Sequence, residues 1–240
     1  MFHPTVDGVR ARCPAGRRFR LRGPAAVATT IALTLIGAAD AAGDVRVGGG
    51  AYAFSGDLNA LLIPLSAGGL PAVTLPTEGG GPFTESLLSA NVVGLAPISV
   101  AEVSTRGNSG LGRAASWASV AGVGLAGLVS VTAVRSSCSA TADGADGTAT
   151  VVDLVVAGIP ISTVDAGPNT VIALPFGTVT VNQQVRSAGA LTVNGLHVNL
   201  DAAVVGGDIT LAQSRCVVKS NAPARARTAL RRAHERARSS

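Results

Sequence analysis

The chain has 240 residues, 47% of them apolar but only 3% aromatic and 14% charged, with a formal net charge of +5. That charge belongs to the ends: residues 1–41 sum to +4 (six Arg against Asp7 and Asp40), residues 222–240 to +5 (six Arg against Glu235), and residues 42–221 to −4 (six Arg and Lys219 against eleven acids). A mildly acidic body lacks the spread of Lys and Arg that tracks phosphates, so a nucleic-acid-binding core is disfavoured, and the length suits one domain with appendages.

Residues 1–24 are rich in arginine and end in Arg17-Arg18-Phe19-Arg20-Leu21-Arg22; an uncharged apolar run over 25–39 follows, then Ala39-Asp40-Ala41. A basic segment, a short apolar stretch and a small-x-small site are the order of a secretory signal peptide. Residues 1–41 are therefore read as a signal peptide, with Ala39 and Ala41 flanking the processing site and cleavage after Ala41. The run is short and rich in Ala and Thr for a membrane span. Its twin arginine hints at the folded-export route, although Phe19 follows the pair directly.

From 42 to 221 the text is short apolar runs broken by Gly, Pro, Asn and Asp, such as 51–54, 70–75, 92–95 and 98–103. Runs of four to six residues at that spacing predict the strands of an all-β, antiparallel sandwich or barrel-like domain. Gly107-Asn108-Ser109-Gly110 reads as a turn. The stretch 116–134 is long enough for a helix, but Gly122, Gly124 and Gly127 among Val and Ser argue for strands. Asp143-Gly144-Ala145-Asp146-Gly147 offers oxygen ligands to a calcium ion, yet lacks the further acids of a calcium loop and reads as a turn.

The alternation is clearest near the C-terminal end. Leu191-Thr192-Val193-Asn194 alternates, and Leu196-His197-Val198-Asn199-Leu200 alternates in the opposite phase. A bulge at Gly195 would let both apolar sets face one core. Asp208-Ile209-Thr210-Leu211-Ala212 predicts another strand, and Gly206-Gly207 before it predicts the turn of a hairpin. Cys13 leaves with the signal, so Cys138 and Cys216 remain and are expected to pair in an oxidising compartment. Residues 222–240 form a basic tail, helical or disordered, whose Arg225, Arg227, Arg231, Arg232, Arg236 and Arg238 fall on most faces of a helix.

Several of these segments together carry a family resemblance. They are Pro168-Asn169-Thr170, the segment Gly177-Thr178-Val179-Thr180-Val181-Asn182-Gln183-Gln184, then Leu191-Thr192-Val193-Asn194-Gly195-Leu196-His197-Val198, and Ser214-Arg215-Cys216, with Gly107-Asn108 and 116–120 upstream. Over most of 50–218 the chain resembles the choice-of-anchor P proteins, secreted and surface proteins of actinobacteria. That resemblance implies a β-rich extracellular domain joined to differing anchors, with no assigned activity. The chain departs from the pattern where Gln183 stands in the acidic place of an Asn-Glu-Gln motif. Leu75-Pro76-Thr77-Glu78-Gly79 has the look of a sorting signal but lies in the middle of the domain.

No catalytic set, metal site or cofactor is expected. His197 is the one histidine of the body, no Gly-x-Ser-x-Gly elbow accompanies it, and Glu78, Glu85 and Glu102 lie in or near loops without an aromatic platform. His197 and Asn199, with Asn194, Asn182 and Gln184, are candidates for a polar sheet face that contacts glycan hydroxyls. Trp117, the only tryptophan, is expected in the core. The arginine tail suits anionic wall polymers or lipid headgroups. The expected function is that of a non-enzymatic secreted or cell-wall-associated structural or interaction protein. A wall-glycan-binding module is the alternative, and an extracellular hydrolase the third.

Overall fold

Val, Ala and Gly are the commonest residues of the body, followed by Leu, Ser and Thr, and β-branched side chains interrupted so often by glycine satisfy their backbone in ladders rather than in helices. The computed structural model describes residues 45–60, 63–92, 96–125, 129–156, 158–161, 166–202 and 205–220. The expected signal peptide over 1–41 with Ala39 and Ala41, and the segment 222–240 with its six arginines, lie outside the described residues. The strands are β1 (Val45–Ala60), β2 (Ile63–Leu75), β3 (Gly79–Leu87), β4 (Ala90–Val92), β5 (Ala96–Ile98), β6 (Val100–Asn108), β7 (Arg113–Leu125) and β8 (Val129–Thr141). They continue as β9 (Gly144–Val152), β10 (Leu154–Val156), β11 (Ile159–Ile161), β12 (Thr170–Leu174), β13 (Gly177–Ser187), β14 (Ala190–Ala202) and β15 (Val205–Ser220).

Two antiparallel sheets make a sandwich. The first runs β12-β13-β14-β15-β1-β2; the second runs β11-β10-β8-β7-β6-β3, with β9 also on β8, while β4 and β5 pair apart. The described parts of the stretch 116–134, residues 116–125 and 129–134, fall within β7 and β8, as strands rather than a helix, and 109–112 and 142–143 turn between strands. Strands are longer than the four to six residues expected: β1 has 16 residues and passes straight through Gly48, Gly49 and Gly50. Those glycines do not punctuate. A Cβ at Gly49 would lie 2.6 Å from Arg215 O, so the glycine serves a close approach. Gly206 and Gly207 likewise lie inside β15, opposite Asp201 and Leu200, so they are ladder residues and not the turn of the β14–β15 hairpin.

The phase change at Gly195 is real but is not a bulge. Register is preserved on both sides of it, with Gln183↔Asn194↔Gln213 before and Val181↔Leu196↔Leu211 after, so neither neighbour contributes an extra residue. Instead a crease crosses the sheet through Asn182, Gly195, Ala212 and Ala53, with φ of 52° at Asn182 and 51° at Ala212. Every strand it crosses changes phase there: Val47 and Ala51 are buried before it on β1, Phe54 and Leu58 after it. The second sheet has its own crease, at Gly122 (φ 62°) and Asp153 (φ 51°). Val151 is buried on one side of Asp153 and Leu154 and Val156 on the other.

The interior divides in two. Phe54, Leu58, Val103, Val120, Val134, Leu154, Leu196, Ile209 and Leu211 belong to the larger cluster. Val47, Leu75, Ala114, Ala140, Leu191, Val193 and Val218 gather around Cys138 and Cys216 in the smaller. On β6, β7, β8 and β15 the residue facing inward between the two clusters is a hydroxyl: Thr105, Ser116, Ser136 and Ser214, all buried. Ser116 Oγ donates to Arg215 O across the layers at 3.0 Å and accepts from Thr105 Oγ1 at 2.7 Å. Ser136 and Ser214 Oγ have no hydrogen-bond partner among the described residues.

Cys138 on β8 and Cys216 on β15 form the expected disulfide, which joins one sheet to the other over a sequence separation of 78. Loop-closure entropy gives such a link a ceiling of about 4.5 kcal/mol.

Candidate functional site

The outer face of the first sheet carries polar side chains in cross-strand rows. Register places Gln183, Asn194, Gln213 and Tyr52 side by side on β13, β14, β15 and β1. Asn194 Nδ2 donates to Gln183 Oε1 at 2.6 Å, and Gln213 Nε2 donates to Asn194 Oδ1 at 2.8 Å. Beyond the crease the next row is Thr180, His197, Thr210 and Ser55, and the one after it is Thr178, Asn199, Asp208 and Asp57. His197 Nδ1 lies 3.2 Å from Thr210 Oγ1 and its Nε2 lies 3.3 Å from Asp208 Oδ1. Asn199 Nδ2 donates to that same oxygen at 2.9 Å.

Of the five face residues read from sequence, the structure gathers His197, Asn199 and Asn194 in the outer rows, with Asn194 only 7% exposed beneath its neighbours, and separates Asn182 and Gln184. Asn182 sits in the crease, 6% exposed. Its Nδ2 donates to Ala166 O at 3.4 Å, and its Oδ1 accepts from Gln184 Nε2 at 3.2 Å. Gln184 also faces inward, donating to Gly147 O of β9 at 2.8 Å. Both belong to the seam between the sheets because the phase of β13 reverses at Asn182. Asn169 holds that seam: its N–H donates to Asn182 O at 2.9 Å and its Oδ1 accepts from Gln184 N at 2.8 Å.

Sequence reading missed Tyr52, Gln183, Gln213, Thr210 and Asp208 as members of the face. Thr210 and Asp208 were within reach, since both alternate with the buried Ile209 and Leu211. Tyr52 was not, because its row is set by pairing with β15, whose own phase turns at Ala212. The ring of Tyr52 leans over β2 at Gly69, where a Cβ would come 2.9 Å from Tyr52 Cβ and 3.1 Å from Cγ. Glycine there makes room for the ring.

Trp117 lies half-buried on the outer face of the second sheet, not in the core. The guanidinium of Arg135, one row away on β8, sits 5.1 Å from its ring centroid, a cation–π stack. Glu85 and Glu102 lie within β3 and β6 rather than in loops. A pocket of about 320 Å³ opens beside the β8–β9 turn, lined among others by Asp143, Gly144, Arg186, Ala190 and Val218. Among the described residues no cluster of three or more His, Cys, Asp or Glu could hold a metal ion, and no helix is long and apolar enough to cross a membrane. No family model, no curated protein and no solved structure matches the chain.

Proposed function

We propose that the chain is an exported, non-enzymatic protein of the cell envelope: a rigid β-sandwich used for binding or structure, held near the surface by its arginine tail. The observation that carries this reading is the disulfide, buried between the sheets with Cys138 4% and Cys216 0% exposed. Structural disulfides persist where the surroundings are oxidising and are rare in the cytosol. The signal-peptide order of residues 1–41 and the resemblance to choice-of-anchor P proteins support the same compartment.

Asp208, His197 and Thr210 stand in the order of acid, imidazole and hydroxyl. They lie, however, in the ladder rows of a sheet, with Thr210 only 8% exposed, where backbone N–H groups run toward neighbouring strands rather than outward as an oxyanion donor would. The arrangement serves to fix side chains on a surface.

Intact mass spectrometry of the native protein, from medium and from washed cell wall separately, tests the reading. A mature chain beginning near Ala42, lighter by two hydrogens than the reduced form and released from the wall by salt, is expected. Deletion of 222–240 should move it into the medium. A full-length, reduced, cytoplasmic chain would overturn the proposal.

A further inference from the structure

The row of Gln183, Asn194, Gln213 and Tyr52 has features that packing of this chain alone does not require. Its three amides run head to tail, Gln213 to Asn194 to Gln183, and such chains polarise one another. The two ends, Gln213 Oε1 and Gln183 Nε2, have no partner among the described residues. One end therefore accepts and the other donates. Beside the acceptor end lies the only tyrosine of the chain, its half-buried ring laid over Gly69. Two rows away Asp208 receives Asn199 Nδ2 and faces His197 Nε2 with a single oxygen, Oδ1; its side chain is 55% exposed and leaves Oδ2 open.

We infer that this face binds an uncharged polysaccharide chain laid across the strands, with Tyr52 under the C–H face of a sugar ring and the open ends of Gln213 and Gln183, together with Asp208, on its hydroxyls. Asn194, buried and bonded to both amides, holds the two ends in place. The inference rests on the reading of an exported binding module and names its ligand class. Sugar hydroxyls both donate and accept, so one hydroxyl-rich chain meets both open ends of the amide row. Amphipathic aromatic rings suit ligands with one apolar face and polar edges. The row spans three interstrand steps, about 14 Å, and each step is close to the length of one pyranose unit in an extended chain.

Charge narrows the class. The amide row is neutral, but Asp57 and Asp208 stand opposite each other two rows to one side, while Arg215 lies one row to the other. A polyanion on the strip would meet the two carboxylates, whereas a neutral chain meets no such penalty. The opposite sheet offers no equal platform, because Arg135 already stacks on Trp117.

Co-sedimentation of the oxidised full chain with cellulose, curdlan and granular starch tests the inference, in high salt so that adhesion through the tail is screened. Retention on at least one of the three is expected. Tyr52→Ala and Gln213→Ala should each weaken retention about tenfold, with thermal transitions confirming that both variants fold, while Arg135→Ala on the other face should leave it unchanged. Retention on none of the three polymers, or retention that survives both Tyr52→Ala and Gln213→Ala, would overturn the inference. Because the binding is measured on purified oxidised protein, a negative result leaves the export reading standing. That reading fails separately if the native chain proves reduced and cytoplasmic.

Discussion

The two halves of the interior are held by different means. Around Phe54 the sheets are separated by large side chains, Leu154, Leu196, Leu211 and Ile209 among the most deeply buried. Around Cys138–Cys216 the lining is mostly Ala, Val and Gly, and the layers come so close that a Cβ at Gly147 would lie 2.4 Å from Val193 Cγ2. Small side chains remove less apolar area from water, so this half gains less from burial. It gains instead from links between the sheets: the disulfide, Ser116 Oγ to Arg215 O, Gln184 to Gly147 O and Arg186 to Ala145 O. A chain with 3% aromatic residues can therefore close a sandwich by concentrating its few large side chains in one half and tying the other.

The comparison is broken most strongly by Phe54→Ala, which empties the centre of the larger half and should lower stability by about 4 kcal/mol, read from chemical denaturation. Replacing Cys138 and Cys216 together by Ala should cost about 3 kcal/mol, short of the entropic ceiling. Hydrogen exchange should then rise first on the halves of β8 and β15 next to residues 138 and 216, leaving the Phe54 half protected. Uniform loss of protection over both halves would show that they unfold as one.

Gly195→Ala probes the crease between the halves. The new Cβ would lie 2.3 Å from Val134 Cγ1, and overpacking of this kind costs about 2 kcal/mol. Part of that loss should return in the double variant with Val134→Ala. The smallest effect is a gain: Ala212 holds φ 51° with a Cβ, a conformation unfavourable by about 1 kcal/mol for a residue other than glycine. Ala212→Gly should raise stability by about 0.5 kcal/mol, after the entropic cost of glycine is subtracted. A loss instead would mean that the Ala212 methyl, fully buried, outweighs the strain.

Much of the crease was written in the text. Leu191, Val193, Leu196, Val198 and Leu200 cannot all face one core without a change of phase, so Gly195 could be named from apolar spacing alone. The same change at Ala53 and Ala212 left no trace, because alanine suits either face and carries no turn signal. Asn169, Asn182, Gln184, Asn194 and Gly195, scattered through the text, meet at this crease. Their spacing reads as architecture once the structure shows whom they bond. Trp117 was misplaced because a large aromatic is usually buried, and only the pairing of Ser137 with Trp117 sets Arg135 one row from its ring.

By itself the sequence determined the strand content, through β-branched alternation and glycine, and the disulfide, through the two cysteines left in the body. It also determined which residues of β14 are polar. The tertiary structure alone decided which of those polar residues share a surface. A face of a sheet is assembled from strands distant in sequence, and each strand's phase is set locally, residue by residue, at the crease. Asn182 and His197 look alike as polar positions in alternating text, yet a positive φ at one turns it into the seam while register carries the other onto the open face.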